Sequence, residues 1–163
     1  MKGYTLLELV IAVGISVVVL TSAVNVFGHF AISNQRIAVN QELFYNGVIA
    51  MEFITSHVNE AVAVRKNTSF STLTTALELV VGEGTTNERT IGHHIDNWLA
   101  FGSSGGWQQA ARYIAQVNFY IDHSLEVLRI EIITADTISG TDIYVEPLVF
   151  FRVIDLRYKL VLE

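Results

Sequence analysis

The order of apolar and polar positions divides the chain into three parts. Residues 9–32 are almost entirely apolar and include no Asp, Glu, Lys or Arg. About twenty apolar residues are enough for a helix to span the hydrocarbon core of a bilayer. From residue 33 to about residue 66 apolar residues recur at helical spacing, and from residue 70 onward they alternate with polar residues. The pattern therefore predicts one long helix followed by strands, an α+β fold.

The second part, residues 33–66, has the pattern of an amphipathic helix that continues the apolar segment. Two rows of apolar residues repeat along it, the first Ile37, Phe44, Met51 and Val58, the second Leu43, Ala50, Ile54 and Ala61. We expect this apolar face to pack on the sheet. A helix of about sixty residues would be about 90 Å long. It is predicted to end near Arg65, with Asn67-Thr68-Ser69 as the stop.

The third part, residues 67–163, predicts antiparallel strands separated by loops. Six strands are predicted. Four have definite ranges: Leu77–Val81, Leu125–Thr134, Leu148–Val153 and Leu156–Val161. A further short strand is predicted within Thr90–Phe101, and another has Tyr113, Ala115, Val117, Phe119 and Ile121 on one face. The predicted breaks are Gly82–Asn87, Gly102–Gly106, which is interpreted as a linker, Asp122-His123-Ser124 and Ala135–Asp142.

Composition excludes some classes of site. The chain has no cysteine, so it has neither a disulfide nor a thiolate metal site. Its formal net charge is -6, which offers no basic surface for a phosphate backbone, and we predict no direct nucleic acid binding.

One carboxylate, that of Glu8, stands at the head of the apolar segment. An acidic residue costs roughly 2.5–3.5 kcal/mol at the centre of a membrane helix and less near the interface. Neither a secretory signal peptide, cut near Thr21-Ser22-Ala23, nor an ordinary membrane anchor requires that cost. Glu8 therefore indicates a further function for this segment.

Gly3-Tyr4-Thr5-Leu6-Leu7-Glu8, followed by the apolar run, resembles the class III signal of type IV pilins and type II secretion pseudopilins. The resemblance implies that a prepilin peptidase cuts between Gly3 and Tyr4 on the cytoplasmic side and methylates the new amine. It also implies a division into a leader (1–3), a membrane and filament-core helix (4–32), an amphipathic half-helix (33–66) and a β-rich domain (67–163).

The same resemblance makes Glu8 and Thr5 assembly residues, because the Glu8 carboxylate would meet the terminal amine of a neighbouring subunit in a low dielectric. The implied partners are other pilin or pseudopilin subunits, the prepilin peptidase, the inner-membrane assembly platform, and membrane lipid before assembly. The implied location is the bacterial cytoplasmic membrane. The chain would cross it once with its C-terminal domain outside the cytosol, and would later join a surface filament or periplasmic pseudopilus.

The C-terminal part resembles the J-type pseudopilins and PilW-like minor pilins, in the runs 117–122, 146–149 and 153–158. This implies a minor subunit of a tip or initiation complex. A competence-type minor pseudopilin for DNA uptake is an alternative. The chain departs from the family in its short leader, in Tyr4 where Phe is commoner, and in having no Pro near Asn25. In the absence of that Pro, Gly14 and Gly28 are the candidate positions at which the membrane helix could unwind locally. Gly47 is a possible weak point in the later part of the helix.

No residue pattern in the β-rich part predicts a cofactor, a metal or catalysis. His93, His94 and Asp96 are better explained as a solvated loop than as metal ligands. The carboxylates Asp136, Asp142 and Glu146 lack a known calcium spacing, and no nucleophile elbow is present, so we expect no enzyme. A plain membrane-anchored extracytoplasmic binding module, with Trp98 and Trp107 as its platform, is the alternative from a different class.

Overall fold

The computed structural model describes residues 5–67, 72–81, 88–103, 106–135 and 144–161. These residues form one helix, α1 (Leu6–Glu60), and nine strands: β1 (Ala63–Asn67), β2 (Leu73–Val80), β3 (Glu88–His94), β4 (Trp98–Ser103), β5 (Gly106–Arg112), β6 (Ile114–Asp122), β7 (Val127–Thr134), β8 (Val149–Asp155) and β9 (Leu160–Val161). The predicted α+β fold, a long N-terminal helix followed by sheets, is confirmed.

The chain divides into two units, Met1–Ala38 and Val39–Glu163. The described part of the first unit is almost entirely helical, and its large apolar side chains are exposed from Leu6 to Ile37. The most apolar 18-residue window has a mean hydropathy of 2.4 and none of it is buried. This helix is therefore long and apolar enough to span a membrane.

In the second unit, α1 buries one face against the sheets. The buried positions are Val39, Leu43, Gly47, Ala50, Met51, Ile54 and Val58. The predicted packing of the amphipathic half is confirmed, but the row that repeats every seven residues is only partly buried, since Ile37 and Phe44 are about half exposed. A seven-residue repeat drifts by about 20° per repeat around a straight helix, and the buried face follows the helical period instead.

The helix ends at Glu60, so the predicted end near Arg65 and the half-helix boundary at residue 66 are wrong. The Lys159 ammonium donates to the carbonyls of Asn59 and Ala61 at 2.9 and 2.6 Å, which satisfies acceptors that a helix end leaves open. The next residues enter β1, in which Arg65 forms an ion pair with Glu78 of β2. The hydrogen bond to Glu78 raises the pKa of Arg65.

The strands form a six-stranded sheet in the order β5-β4-β3-β2-β1-β9 and a three-stranded sheet in the order β6-β7-β8. Every pair is antiparallel except β1 with β9, which is parallel. The predicted last strand, Leu156–Val161, is shorter in the structure, where β9 covers only Leu160–Val161. The strand predicted at Leu148–Val153 is β8, which runs from Val149 to Asp155. Glu78 is a polar residue between two apolar ones in the alternating pattern of β2, yet its side chain is buried beside Arg65.

The region between Thr90 and Phe101 holds parts of two strands, β3 and β4, where one was predicted. The strands on either side of the Gly-rich break, β4 and β5, pair antiparallel, so Gly102, Ser103 and Gly106 belong to strands and not to a linker. A Cβ added at Gly102 would lie 2.2 Å from the Gly106 carbonyl oxygen, so the close approach of the two strands requires glycine. Residues 104–105 lie outside the described part, as do the predicted loop 82–87, residues 68–69 of the predicted stop and residues 136–142 of the loop after β7.

A β-bulge changes the predicted face of β6. The pairing with β7 shifts between Ile114 and Gln116, so Ile114 is buried with Val117 and Phe119 while Ala115 is exposed. A bulge adds one residue to a strand and thereby reverses the alternation on one side of it. The turn predicted at Asp122-His123-Ser124 lies at residues 123–126, because Asp122 is the last residue of β6. The partner strand therefore begins at Val127 rather than Leu125.

Side chains from both sheets and from α1 form one core. Two side-chain hydrogen bonds also join the sheets next to the bulge. The Thr75 hydroxyl donates to the Val117 carbonyl, and His93 Nε2 donates to the Ile114 carbonyl at 2.8 Å.

Candidate functional site

The candidate site predicted at the N-terminus lies at the first turn of α1. The Thr5 backbone N–H donates to Glu8 Oε2 at 2.9 Å, and the Thr5 hydroxyl donates to the same oxygen at 3.2 Å. The Glu8 backbone N–H lies 3.3 Å from the Thr5 hydroxyl oxygen and donates to it. Thr5 is thus the N-cap of the helix, and Glu8 completes a capping box.

The capping box has two consequences for Glu8. It satisfies two backbone N–H groups that the start of a helix leaves open, and it holds the carboxylate at the positive end of the helix dipole. Both residues are exposed, so the carboxylate is also accessible to a cation from outside the chain. Both residues were predicted to act in assembly, but their mutual contact was not predicted, although the Thr-x-x-Glu spacing is the usual signal for it.

The predicted processing residues, Gly3 and Tyr4, lie outside the described residues, so the structure describes only the helix start that follows them.

The pair His93-His94 lies in β3, so the predicted solvated loop is wrong. His93 is 5% exposed, accepts a hydrogen bond from the Thr74 hydroxyl at Nδ1 (2.6 Å) and donates to Ile114 through Nε2. Burial lowers the pKa of His93, and the nearby His94 adds to this effect. His94 is on the other face, where its ring stacks on Trp98 at 4.2 Å and its Nδ1 lies 3.4 Å from the Asp96 carboxylate.

Among the described residues, no group of three or more His, Asp or Glu side chains is arranged to hold a metal ion. Asp136 and Asp142 of the considered calcium site lie outside those residues, whereas Glu146 is described and exposed.

The two tryptophans form part of a small apolar cluster. Trp98 and Trp107 are both partly buried against Leu73, Ala76 and Ala100. Each ring therefore packs on the six-stranded sheet, and less of the ring surface is exposed for the predicted binding platform.

An open cavity of about 520 Å³ lies at the three-stranded sheet, lined by Tyr120, Ile121, Asp122, His123, Arg129, Glu131 and Phe151. Tyr120 and Phe151 are 52% and 63% exposed, which makes two rings available for contact. The carboxylates of Asp122 and Glu131 already accept hydrogen bonds from Ser124 and Asn118. The cavity thus combines aromatic surface with the cationic side chain of Arg129, a combination suited to contact with another protein.

Comparison with known proteins adds no relative: no family model, no curated protein and no solved structure matches this chain.

Proposed function

We propose that this chain is a minor pilin or pseudopilin, a non-enzymatic subunit of a type IV pilus or type II secretion pseudopilus that acts by assembly. The observation that carries the proposal is the position of Glu8 in the first turn of an exposed apolar helix. No other acidic residue occurs before Glu42, so this carboxylate is an isolated charge in a segment suited to lipid.

The geometry gives the proposed mechanism a physical basis. In a single subunit the carboxylate is bound to Thr5 of its own chain, in the capping box. In an assembly, the terminal amine of a neighbouring subunit would compete for the same carboxylate. The exposed apolar helix would exchange lipid for neighbouring helices, and the sheet domain would provide the surface that selects partners.

Processing is the direct test of the proposal. The full chain is co-expressed with a prepilin peptidase, and its intact mass is measured. We expect the loss of Met1, Lys2 and Gly3 together with the gain of one methyl group. An uncut chain, or a cut near Ala23, would contradict the proposal.

Two matched variants make this test specific. Gly3→Leu places a bulky side chain at the proposed cut and should abolish the mass change. Ala23→Leu alters the competing signal-peptide site in the same way and should leave the mass change intact. The opposite pattern would identify the segment as an ordinary signal peptide.

The cavity at the three-stranded sheet favours one second candidate, a membrane-anchored binding module. Under that alternative Glu8→Gln is harmless, whereas under the proposed function it prevents incorporation into the assembly and leaves the second unit folded. Glu42→Gln is the matched control, because Glu42 is an exposed carboxylate of the same helix beyond the apolar segment. Co-purification with the other subunits distinguishes the two outcomes.

A further inference from the structure

The polar side chains in the apolar part of α1 fall into two groups. The hydroxyls of Ser16, Thr21 and Ser22 each donate to the backbone carbonyl four residues earlier, at 2.8–2.9 Å. Such a hydroxyl is satisfied within its own helix, so it does not need a partner in lipid.

Asn25 and His29 belong to the second group. Both are exposed, and within the part of the chain that the structure describes neither side chain has a hydrogen-bond partner. They are four positions apart (i and i+4), so they lie one above the other on the same face of the helix. An amide or imidazole in an apolar medium without a hydrogen bond costs free energy, and a neighbouring helix can remove that cost.

Their depth in a membrane follows from the length of the apolar segment. Residues 9–32 are centred between residues 20 and 21. At 1.5 Å per residue, Asn25 lies about 7 Å and His29 about 13 Å from this centre. The hydrocarbon core extends about 15 Å on either side of its midplane, so both side chains would lie inside it.

We propose that Asn25 and His29 form a docking site for the transmembrane helix of a second copy of this chain. Copies inserted in the same orientation carry Asn25 at the same depth, so no adjustment of register is needed. A carboxamide has both donors and an acceptor and is therefore complementary to itself across a twofold axis. His29 adds a second polar group one turn farther along. The inference rests on the membrane insertion that the proposed function requires.

Self-association of the full chain in lipid vesicles tests the site. Since the chain has no cysteine, Gln35→Cys at an exposed position supplies a unique labelling site. Energy transfer between donor-labelled and acceptor-labelled copies is measured over a range of protein-to-lipid ratios. Asn25→Leu is expected to raise the dissociation constant about three- to twentyfold, the range that interhelical hydrogen bonds in membranes give. His29→Leu should shift it in the same direction.

Thr21→Val is the matched control, because it removes a hydroxyl one turn earlier that is already bonded to the Val17 carbonyl. It should leave the dissociation constant unchanged. An equal loss in both variants, no change in Asn25→Leu, or no energy transfer between unmutated copies at any ratio would overturn the inference. The last result would indicate a helix of another protein as the partner. Resistance to alkaline extraction is measured in parallel: an extracted chain contradicts the membrane insertion itself, whereas an inserted chain that does not self-associate contradicts only this inference.

Discussion

The buried imidazole of His93 makes the stability of the folded domain depend on pH. The ring is bonded to Thr74 and to the Ile114 carbonyl, and burial lowers its pKa below the ordinary value of 6.5. The unfolded chain therefore binds more protons than the folded one once the pH falls below about 6.5. Each pH unit in this range removes up to about 1.4 kcal/mol of stability, the limit for one proton. Well above pH 6.5 the imidazole is neutral in both the folded and the unfolded chain, so none of this stability is lost.

His93→Gln separates this titration from the hydrogen bonds. A glutamine amide can still donate to the Ile114 carbonyl but does not titrate, so the variant should lose about 1–2 kcal/mol at pH 7.5 through poorer packing and the changed contact with Thr74. Its further loss between pH 6.5 and 5.5 should be smaller than that of the unmutated chain by up to about 1 kcal/mol, since the unfolded imidazole is half protonated at the start of this range. The assay is denaturant unfolding of the full chain in detergent, followed by near-ultraviolet circular dichroism.

His123→Gln is the control for this experiment. His123 lies exposed in the turn between β6 and β7, so the same substitution there breaks no buried contact and should change stability at pH 7.5 by no more than about 0.5 kcal/mol. The other histidines are common to all variants and cancel in the comparison. Parallel pH profiles for His93→Gln and the unmutated chain would refute the reasoning, as would a stability that rises on acidification through His93.

Three further substitutions test the fold by the same unfolding measurement. Glu126 has a φ of 51°, so Glu126→Gly should raise stability by about 0.5–1 kcal/mol, and a loss would contradict a strained turn. Lys159→Met removes the ammonium that binds the Ala61 carbonyl and should cost about 1 kcal/mol, whereas Lys159→Arg should retain most of it. Gly47→Ala places a Cβ 2.1 Å from the Phe150 ring and should cost about 1–3 kcal/mol, and combining it with Phe150→Leu should recover part of the loss.

The elements with a long-range pattern in the sequence were predictable. The apolar segment is a nearly continuous run over residues 9–32, whereas the amphipathic continuation and the strand pair β6–β7 each show a clear period over eight or more residues. The structure has all three. The helix end was not predictable by the same means. Residues 61–66 are compatible with a helix. That the chain instead leaves the helix and enters β1 at Ala63 depends on pairing with β2 and on the distant Lys159, which binds the Ala61 carbonyl.

Details of the β-rich part depend on contacts between positions far apart in sequence. Nothing local to His93 indicates that its ring joins two sheets, because its acceptor, the Ile114 carbonyl, is placed by a bulge in another strand. The alternating pattern around Glu78 is typical of a residue that faces solvent. Its burial depends on the ion pair with Arg65 in the neighbouring strand β1. At the candidate site the reverse holds, since Thr5 and Glu8 are three residues apart and their contact is encoded locally.

The local nature of that contact bears on how Glu8 would act under the proposed function. A capping interaction contributes about 1 kcal/mol. Both bonds from Thr5 go to Glu8 Oε2, so the terminal amine of a neighbouring subunit could approach Oε1 without breaking them. An amine about 4 Å from a carboxylate gains about 4 kcal/mol at an effective dielectric of 20. The capping box keeps the first turn of α1 formed and holds the carboxylate at the N-terminal end of the helix. Under the proposed function, Thr5 would thus position the Glu8 carboxylate for the amine, a role that Thr5 could have although only Glu8 carries the charge.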